Sequence, residues 1–519
     1  MTFELNRRQT LALLAAAGTT TACAASEDTS AASITETPPT SSRFAHGVAS
    51  GDPLANSVVL WSRLSTNVDV ETVRWEISAD EGFADIIASG DAVAAASADH
   101  TIKVIPDGLN AGQTYFYRFI AEDGTSPIGR TRTLPEGHVE RLGIALASCS
   151  NYAFGYFNAY DAIAKDEAID FVLHTGDYIY EYGGEQGWGH ETASVIGRTH
   201  MPAHEIVSLE DYRMRHAQYK SDAGSLAMHA AHPMIACWDD HESANNPWIG
   251  GAQNHQPDTE GDWNERRAVS LQAYYEWMPI REPEDGLTRA DFWRSYSFGD
   301  LATLITLETR HTARGEQIDY SRYFDTILTP DDRERFMAEV VNDPSRGLIS
   351  DGMEAEITSS LTMSLASAQP WRLFGNASPI ARMLVPDLLA LGVDPTRQSG
   401  GGVPGASADV FWKGRWNLPF YTDTWDGYPA ARERLYDLCR NAGASDLVFL
   451  TGDSHSFWAN SLFDDEGQPV GVELGTAGIS SPGDFVESGW DDEAARSLDQ
   501  LFADHLDEVK WTDNMHQGY

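Results

Sequence analysis

Cysteine is scarce in this chain, with four among 519 residues. Cys23 lies near the N-terminus, and the other three, Cys149, Cys237 and Cys439, are widely separated. A disulfide framework typically needs an even number of cysteines at recognisable spacings. The sequence therefore argues against a fold that depends on disulfides. We expect free or metal-bound thiols, with Cys237 and Cys439 in the core.

Basic residues are also few: Lys and Arg number 36 against 78 Asp and Glu, which gives a formal net charge of −42. Such a chain would repel the phosphates of DNA or RNA, so we expect no nucleic-acid partner. Bound cations can still reverse the local field in one cleft, and a small phosphate substrate remains compatible with this charge. Beyond the N-terminal leader no apolar run of about twenty residues occurs, so we expect no transmembrane span. We also expect a monomer.

Residues 1–42 are typical of an export signal followed by a linker. Arg7 and Arg8 precede the short apolar run Leu11–Gly18, which predicts a twin-arginine signal. This route carries folded proteins and leads to the periplasm or the medium. Residues 24–42, rich in Ser, Thr, Ala and Pro, are typical of a flexible linker. The segment around Cys23 also resembles a lipoprotein site, and a lipid anchor there stays open as an alternative.

Residues 43–137 carry the signals of β-strands and turns. The segments Ser57–Arg63 and Val73–Ile77 are predicted strands. Leu109–Arg118 is a turn that leads into an alternating strand, and it is similar to the tyrosine-corner region of fibronectin-type sandwiches. We therefore expect an N-terminal β-sandwich domain with no catalytic cluster of its own.

After Pro135 short apolar strands alternate with helical or irregular stretches, which predicts a layered α/β domain over residues 138–519. Polar residues follow each predicted strand. Because ligands bind at the carboxyl ends of parallel strands, we expect these residues to form one site. The predicted strands are Leu142–Ala147, Ile169–Leu173, Pro233–Trp238, Leu301–Leu307, Trp371–Phe374 and Leu447–Leu450.

The segment His174–Tyr182 carries the strongest candidate ligands. Asp177 lies just past a predicted strand, and Tyr180 follows three positions later. A carboxylate can bridge two cations, while a phenolate and a thiolate together favour a trivalent or soft metal, for which iron is the natural candidate. Carboxylates favour a hard divalent ion at the neighbouring position. The further candidate ligands at strand ends are Cys149, Asp240, Asp453 and His455.

Two cations close together can polarise a phosphoryl group and generate hydroxide near neutral pH. His241 directly follows Asp240, so it can lie at the site and donate a proton to a leaving oxygen. Arg310, after its own strand, can bind phosphate oxygens. Taken singly, Cys149 is more typical of a buried apolar thiol and Tyr180 of a core residue. Segments 182–232 and 245–267 are predicted loops that cover the site, and their histidines are predicted to be ordinary loop residues rather than ligands.

Several motifs occur together in a fixed order. They resemble the PhoD-like alkaline phosphatases, within the calcineurin-like metallophosphoesterases, from about Phe44 to the end of the chain. The motifs are Phe44–Pro53 with Leu60–Arg63, Ala147–Ser150, Gly176–Glu181, Trp238–Glu242 with Asn245 and Asn246, and Gly452–His455.

The resemblance implies a fibronectin- or Ig-like β-sandwich ahead of a four-layered αββα catalytic domain. It also implies a secreted phosphomonoesterase or phosphodiesterase with ferric iron and calcium, another divalent metal being the alternative to calcium. Cys149 and Tyr180 are then implied iron ligands and Asp177 the bridging ligand. The resemblance implies further roles in metal binding for Asp240, Asp453 and His455, and in binding phosphate or supporting the site for Asn245, Arg310 and Asn376.

Two features depart from the family pattern. Glu308 stands where the family usually has Asp, and the extra methylene could shift Arg310. The chain ends at Gly518-Tyr519, whereas relatives usually continue through further β structure. We expect either a C-terminally truncated form or a sheet that closes differently; a missing strand would leave an exposed edge.

We therefore expect an exported phosphoesterase that hydrolyses phosphate mono- or diesters with metal-activated hydroxide. One alternative is a phospholipase D-like phosphodiesterase that uses the same site, since a diester needs room for a second substituent. The other alternative is a surface binding protein that kept the scaffold and lost activity.

Overall fold

The computed structural model describes residues 42–398 and 406–519. The twin-arginine segment, Cys23 and the linker up to residue 41 lie outside the described residues. The strands are β1 (Val48–Gly51), β2 (Val59–Arg63), β3 (Val70–Ser78), β4 (Ile86–Ala95), β5 (Thr101–Val104), β6 (Thr114–Ala121), β7 (Gly124–Thr125), β8 (Gly129–Arg132), β9 (Ile144–Ala147), β10 (Phe171–His174), β11 (Met234–Ala236), β12 (Pro247–Trp248), β13 (Gly251–Ala252), β14 (Arg294–Phe298), β15 (Ala302–Thr306), β16 (Trp371–Asn376), β17 (Leu447–Thr451), β18 (Phe457–Phe463), β19 (Pro469–Gly475) and β20 (Val509–Asp513).

The helices lie mainly between the strands of the second part of the chain. They are α1 (Asn158–Lys165), α2 (His190–Ile196), α3 (Leu209–Lys220), α4 (Ala223–Ala231), α5 (Pro257–Glu260), α6 (Trp263–Trp277), α7 (Pro330–Phe336), α8 (Asp351–Ala366), α9 (Ala406–Trp416), α10 (Pro429–Asn441), α11 (Asp484–Glu487) and α12 (Asp492–His505). The predicted strands are confirmed: those before Pro135 correspond to β2, β3 and β6, and those after it to β9, β10, β11, β15, β16 and β17.

One six-stranded sheet contains strands from both parts of the chain, in the order β5-β2-β1-β11-β10-β9. Its β9, β10 and β11 run parallel to one another. Gly51 of β1 pairs in parallel with Met234 of β11. A Cβ atom at Gly51 would lie 2.6 Å from the carbonyl oxygen of Met234, so only glycine allows the two strands to meet there. The N-terminal strands therefore extend the sheet that carries the candidate site.

The N-terminal part also has the predicted sandwich character. Strands β4, β3, β6 and β7 form a second sheet, with β8 paired to β6. Val73 and Phe119 from this sheet share a buried core with Val48 and Leu60 of β1 and β2. The Tyr115 hydroxyl accepts a hydrogen bond from the backbone N–H of Asn110 at 2.9 Å, which is the contact expected of a tyrosine corner.

A seven-stranded sheet faces the six-stranded one, in the order β14-β15-β16-β17-β19-β18-β20. Alternate residues of a strand point to opposite faces. In β10, Leu173 shares a core with Leu304 of β15, between the two sheets. Its neighbour Val172 packs instead with the helical residues Ile163 and Tyr274. The two faces of β10 are thus buried by different partners, which explains its continuous apolar run.

The other face of the seven-stranded sheet is buried by α8, α10 and α12. Ile357, Leu435 and Leu498 from these helices share a core with Phe374 of β16 and Phe449 of β17. The mixture of sheets and helices confirms the predicted α/β class. Because β9, β10, β11 and β17 are parallel members of two facing sheets, the loops after them can meet.

The prediction that residues 182–232 form only loops is wrong, because this segment contains α2, α3 and α4. The apolar residues of α3 show no helical periodicity, and its buried face includes Arg215, His216 and Lys220. A capping box between Ser208 and Asp211 begins the helix. His216 and His229 are consequently buried helical residues. Tertiary contacts rather than a local apolar pattern stabilise these helices.

The cysteine prediction is confirmed for the described part of the chain. Cys149, Cys237 and Cys439 are buried and free, and Cys439, on the buried face of α10, belongs to the core that covers the seven-stranded sheet. Among the helices of residues 42–398 and 406–519, none combines the length and apolar character that crossing a membrane requires.

Asp499 of α12 allows a test of pH-dependent stability. It accepts hydrogen bonds from the side chain and backbone of Asn514, at 2.6 and 3.4 Å. Burial raises the pKa of Asp499 from 3.8 to about 6. A carboxyl with a raised folded-state pKa binds more protons folded than unfolded, so its contribution to stability is present below pH 3.8 and is lost as the pH rises to about 6. We expect Asp499→Asn to reduce the fall in unfolding free energy across this window, measured by urea unfolding at several pH values.

The control for a change of charge is Asp504→Asn, at an exposed position of the same helix. A stability–pH curve of Asp499→Asn that is parallel to that of the unsubstituted protein would contradict the prediction.

Candidate metal centre

Asp177 lies where the loops after the parallel strands meet. Strand β10 ends at His174, and the chain turns through Gly176, with φ of 105°, and Asp177, with φ of 55°. A Cβ atom at Gly176 would lie 2.4 Å from the backbone nitrogen of Asp239. Glycine therefore allows the loop after β10 to touch the loop after β11, and this brings Asp177 close to the carboxylates of the second loop.

Other candidate ligands also have unusual backbone conformations. Cys149, Asp453 and His455 have φ values of 58°, 65° and 55°. Residues other than glycine rarely adopt the left-handed region, and they are held there only when the surroundings fix them. Such conformations cluster at functional sites, and here they aim the side chains from the strand ends toward Asp177.

The first group of ligand atoms combines sulfur, oxygen and nitrogen. The Sγ of Cys149 lies 3.5 Å from Oδ2 of Asp177, and the Tyr180 hydroxyl donates to the same oxygen at 3.1 Å. The Tyr180 oxygen is 3.3 Å from Nε2 of His455. Ligand atoms of Cys149, Asp177 and His455 lie within 4.8 Å of one another, a spacing that could hold one metal ion.

The second group consists of carboxylates only. Oxygens of Asp177, Asp239, Asp240 and Asp453 lie within 4.8 Å of one another. Oδ2 of Asp239 and Oδ1 of Asp240 are buried and have no hydrogen-bond partner. Buried, unpaired carboxylate oxygens are costly unless a cation binds them, and a set of this kind fits a hard cation such as calcium. Asp177 belongs to both groups.

Burial raises the pKa of Asp177, Asp239 and Asp453. Asp240 differs: burial opposes its ionisation, but the charges of His241 and Arg310 hold its pKa below the usual range. Carboxylates this close cannot all ionise without compensation. A bound cation would replace the protons that they otherwise retain.

Burial likewise raises the pKa of the Cys149 thiol and of the Tyr180 phenol. Both groups bind metals as anions, so ligation must overcome this effect and would release their protons. The donor set therefore fits a strongly charged or soft ion better than a weakly charged one.

His241 is held beside the carboxylates by Glu181. Its Nδ1 lies 2.6 Å from Oε2 of Glu181, and its Nε2 lies 4.0 Å from Oδ1 of Asp240. Burial lowers the pKa of His241, but Asp240, Glu181 and Asp177 outweigh this effect and raise it well above 6.5. Glu181 thus orients the ring and leaves Nε2 facing the centre. No role for Glu181 was predicted, although it is the last residue of the motif Gly176–Glu181.

Two further buried glutamates hold the loops themselves. Glu242 accepts the backbone N–H groups of Asp177, Tyr178 and Asp239 at 3.1, 2.7 and 2.8 Å. Because both loops bond to one carboxylate, Glu242 fixes their separation. Asp239 and Glu242 were not singled out from the sequence. The signal for Asp239 was its position beside Asp240 at the end of β11.

Glu308 has the same function in the loop of Arg310. It accepts the backbone N–H groups of Arg310, His311 and Thr312 at 2.8, 2.6 and 3.0 Å. Trp238 donates to the same carboxylate from Nε1 at 3.2 Å. Both carboxylate oxygens of Glu308, the residue that stands where the family usually has Asp, thus accept hydrogen bonds.

Arg310 is fully buried within the wall of the site. Its Nε donates to Oδ1 of Asp239 at 2.5 Å, and its Nη2 lies 4.0 Å from Asp240 and 3.9 Å from Asp453. Its guanidinium therefore balances part of the negative charge in this arrangement. Its Nη1 and Nη2 have no hydrogen-bond partner, so both can still donate to a bound anion.

The other two residues implied to bind substrate differ in position. Asn376 is fully buried; its Nδ2 donates to the carbonyl oxygen of Ser378 at 2.6 Å, and its Oδ1 accepts from Trp425 at 3.2 Å. Asn245 is partly exposed and its Oδ1 accepts from the Tyr182 hydroxyl at 3.4 Å. Asn245 therefore borders solvent, whereas Asn376 is engaged within the protein. The roles of Asn245, Arg310 and Asn376 in binding stay predictions.

Comparisons with known proteins identify the family to which this chain is similar. A family model described as PhoD-like phosphatase matches residues 144–519, and a model described as its N-terminal domain matches residues 27–135. Alkaline phosphatase D of Bacillus subtilis strain 168 is 34% identical over 506 residues, covering 92% of this chain and 77% of that protein. A solved structure of PhoD has a TM-score of 0.71 and 31% identity, covering 93% of this chain and 84% of that one.

The loop contacts of Glu242 generate a prediction. In Glu242→Gln, an amide NH₂ replaces an oxygen that accepts backbone N–H groups, so at least one buried donor loses its partner. We expect a loss of about 1–3 kcal/mol in unfolding free energy. We also expect a lower metal content, because Asp177 and Asp239 are no longer held together. Urea unfolding and elemental analysis of the folded protein measure the two effects.

Glu508→Gln is the matched control. Buried Glu508 also accepts two backbone N–H groups, those of Arg382 and Phe463 at 2.6 and 3.2 Å, and both lie outside the ligand loops. This variant should be destabilised and keep its metal. Equal metal content in the two variants would argue against a special role for Glu242.

Proposed function

Because this chain belongs to the PhoD-like phosphatase family and is a phosphoester hydrolase, we propose that it is an exported, metal-dependent enzyme that hydrolyses phosphate mono- and diesters. The observation that carries the proposal is the meeting of two different ligand groups at Asp177. One group offers a thiol and an imidazole, and the other offers only carboxylates. Such a pair of neighbouring sites suits two metal ions of unlike chemistry.

Iron is the proposed ion beside Cys149, Tyr180 and His455, and calcium is the proposed ion among the carboxylates. The thiolate and phenolate favour ferric iron, and the oxygen-only group favours calcium. Asp177, which has an oxygen near each group, is the proposed bridging ligand. When bound, such ions supply Lewis-acid activation of a phosphoryl oxygen and of an attacking water.

The side chains around the ions have distinct proposed roles. His241 donates a proton from Nε2 to the leaving-group oxygen, and Glu181 holds its ring through Nδ1. The Glu181 carboxylate, 2.6 Å from Nδ1, also favours the protonated ring. Asn245, at the solvent border, contacts the substrate. Arg310 and Asn376 support the phosphate-binding side of the centre.

Export by the twin-arginine route is part of the same proposal. It rests on Arg7 and Arg8 ahead of a short apolar run. The route carries folded proteins, which suits an enzyme that binds its metals before it reaches the periplasm or the medium. The αββα layer order also belongs to the proposal, and the helical cores on the outer faces of both sheets support it.

Metal content and substrate range test the proposal directly. We expect iron together with calcium in protein exported by its native host, measured by elemental analysis. Asp177→Asn should lose both ions and reduce kcat/KM by on the order of a thousandfold or more, because one ligand serves both groups. The exposed variant Asp504→Asn controls for loss of a charge.

The outcomes separate the alternatives. Parallel assays with p-nitrophenyl phosphate and its bis-ester distinguish a monoesterase from a phosphodiesterase. Zinc as the sole metal would contradict the roles of Cys149 and Tyr180. Metal-loaded protein that hydrolyses neither substrate would favour a binding protein instead.

A second prediction concerns His241. Because His241 is the proposed donor to the leaving oxygen, His241→Gln should reduce kcat by about 10²–10⁴-fold for alkyl esters, whose alkoxide leaves poorly. The reduction should be much smaller for p-nitrophenyl phosphate, because nitrophenolate needs little protonation. Measurement of kcat for both substrates, with metal content checked, gives the comparison. Equal reductions for the two substrates would assign His241 a role other than proton donation.

A further inference from the structure

A tryptophan covers one side of the candidate centre. Trp188 lies in the segment between β10 and α2. Its ring is nearly parallel to the ring of His455, with centroids 5.5 Å apart and an interplanar angle of 14°. It is also nearly parallel to the ring of His241, at 6.5 Å and 17°. One side chain thus contacts both the proposed proton donor and a proposed metal ligand.

The backbone around Trp188 is built for close packing. The N–H of Gly187 donates to the carbonyl oxygen of Gly183 at 3.1 Å. A Cβ atom at Gly187 would lie 2.4 Å from that oxygen. Gly189 has φ of 86°, and a Cβ atom there would lie 2.9 Å from Ala153. Glycine on both sides lets the segment lie close to the site, which fixes the position of the tryptophan.

Trp188 also lies at the boundary between the centre and solvent. The rings beneath it are almost inaccessible: Tyr180 is 0%, His241 6% and His455 8% exposed. Trp188 itself is partly exposed, as is its ring neighbour Tyr182, 6.1 Å away. A molecule that reaches His241 from solvent therefore passes an aromatic surface.

We infer that Trp188 is the surface on which the organic group of the ester packs, and that it selects phosphate esters with a planar, apolar leaving group. This inference rests on the proposed function. The leaving oxygen lies at His241. The ring nearest to His241, Tyr180 at 4.2 Å, is fully buried, whereas Trp188 borders solvent, so the carbon group attached to that oxygen extends beside Trp188. An indole offers a large apolar surface with a preference for other rings. An apolar contact of this size changes kcat/KM by roughly 10–200-fold.

The test compares an aromatic with a small polar ester in the metal-loaded enzyme. For each substrate, kcat and KM of Trp188→Ala are divided by those of the unsubstituted enzyme, so that differences in leaving-group chemistry cancel. With p-nitrophenyl phosphate we expect kcat/KM to fall about tenfold or more, mainly through KM. With glycerol 3-phosphate we expect less than about a threefold change. Trp188→Phe should recover most of the loss.

Three controls make the result specific. Inorganic phosphate should inhibit Trp188→Ala and the unsubstituted enzyme equally, because the phosphate side of the site is untouched. Trp511→Ala removes an exposed tryptophan of β20 and should leave kcat/KM unchanged for both substrates. If Trp188→Ala does not fold, as judged by circular dichroism, the comparison is between Trp188→Phe and Trp188→Leu, of which only the second should lose the aromatic preference.

Equal losses for both esters would overturn the inference and make Trp188 a residue that positions His241 or His455. No loss for either ester would also overturn it. These results differ from a failure of the proposed function, in which the unsubstituted enzyme hydrolyses neither ester.

Discussion

Four carboxylates crowded beside the strand ends repel one another, and the groups around them must offset that repulsion. Oxygens of Asp177, Asp239, Asp240 and Asp453 lie within 4.8 Å of one another, and only Asp453 is partly exposed. Apolar packing alone would not hold these carboxylates together, because their repulsion favours separation of the loops that carry them. The protein opposes this with buried glutamates that bind loop amides, and with Arg310 and His241, which supply positive charge. The proposed metal ions would complete the same balance.

The same hydrogen bonds therefore stabilise the fold and hold the loops that carry the candidate ligands. Glu242 joins the loops after β10 and β11, and Glu308 closes the loop that carries Arg310. Each of these carboxylates is buried and accepts several N–H groups, so its loss would leave donors unpaired. The ligands follow parallel strands of two facing sheets. The packing of Leu173 and Leu304 between the sheets therefore also determines how far apart the ligand loops lie.

Much of the architecture could be predicted because strand signals are local. The apolar runs of β9, β10 and β17 end in polar residues, and the rule for parallel sheets places such ends together. The roles of Asp239 and Glu181 could not be predicted, because they depend on contacts between residues far apart in sequence. Helix α3 was missed because Arg215, His216 and Lys220 interrupt the aromatic residues on its buried face. Trp188 had no signal beyond its glycine neighbours.

The pairing of Gly51 with Met234 has a consequence for how the chain is assembled. Without β1, strand β11 would present a bare edge, and bare edges invite pairing with other chains. The two parts of the protein are therefore not independent units that could be exchanged or expressed apart. This sheet forms only when β1 pairs with β11, which is distant in sequence, and such long-range pairing slows folding. The sheet can therefore form only after β11 has been synthesised, long after β1.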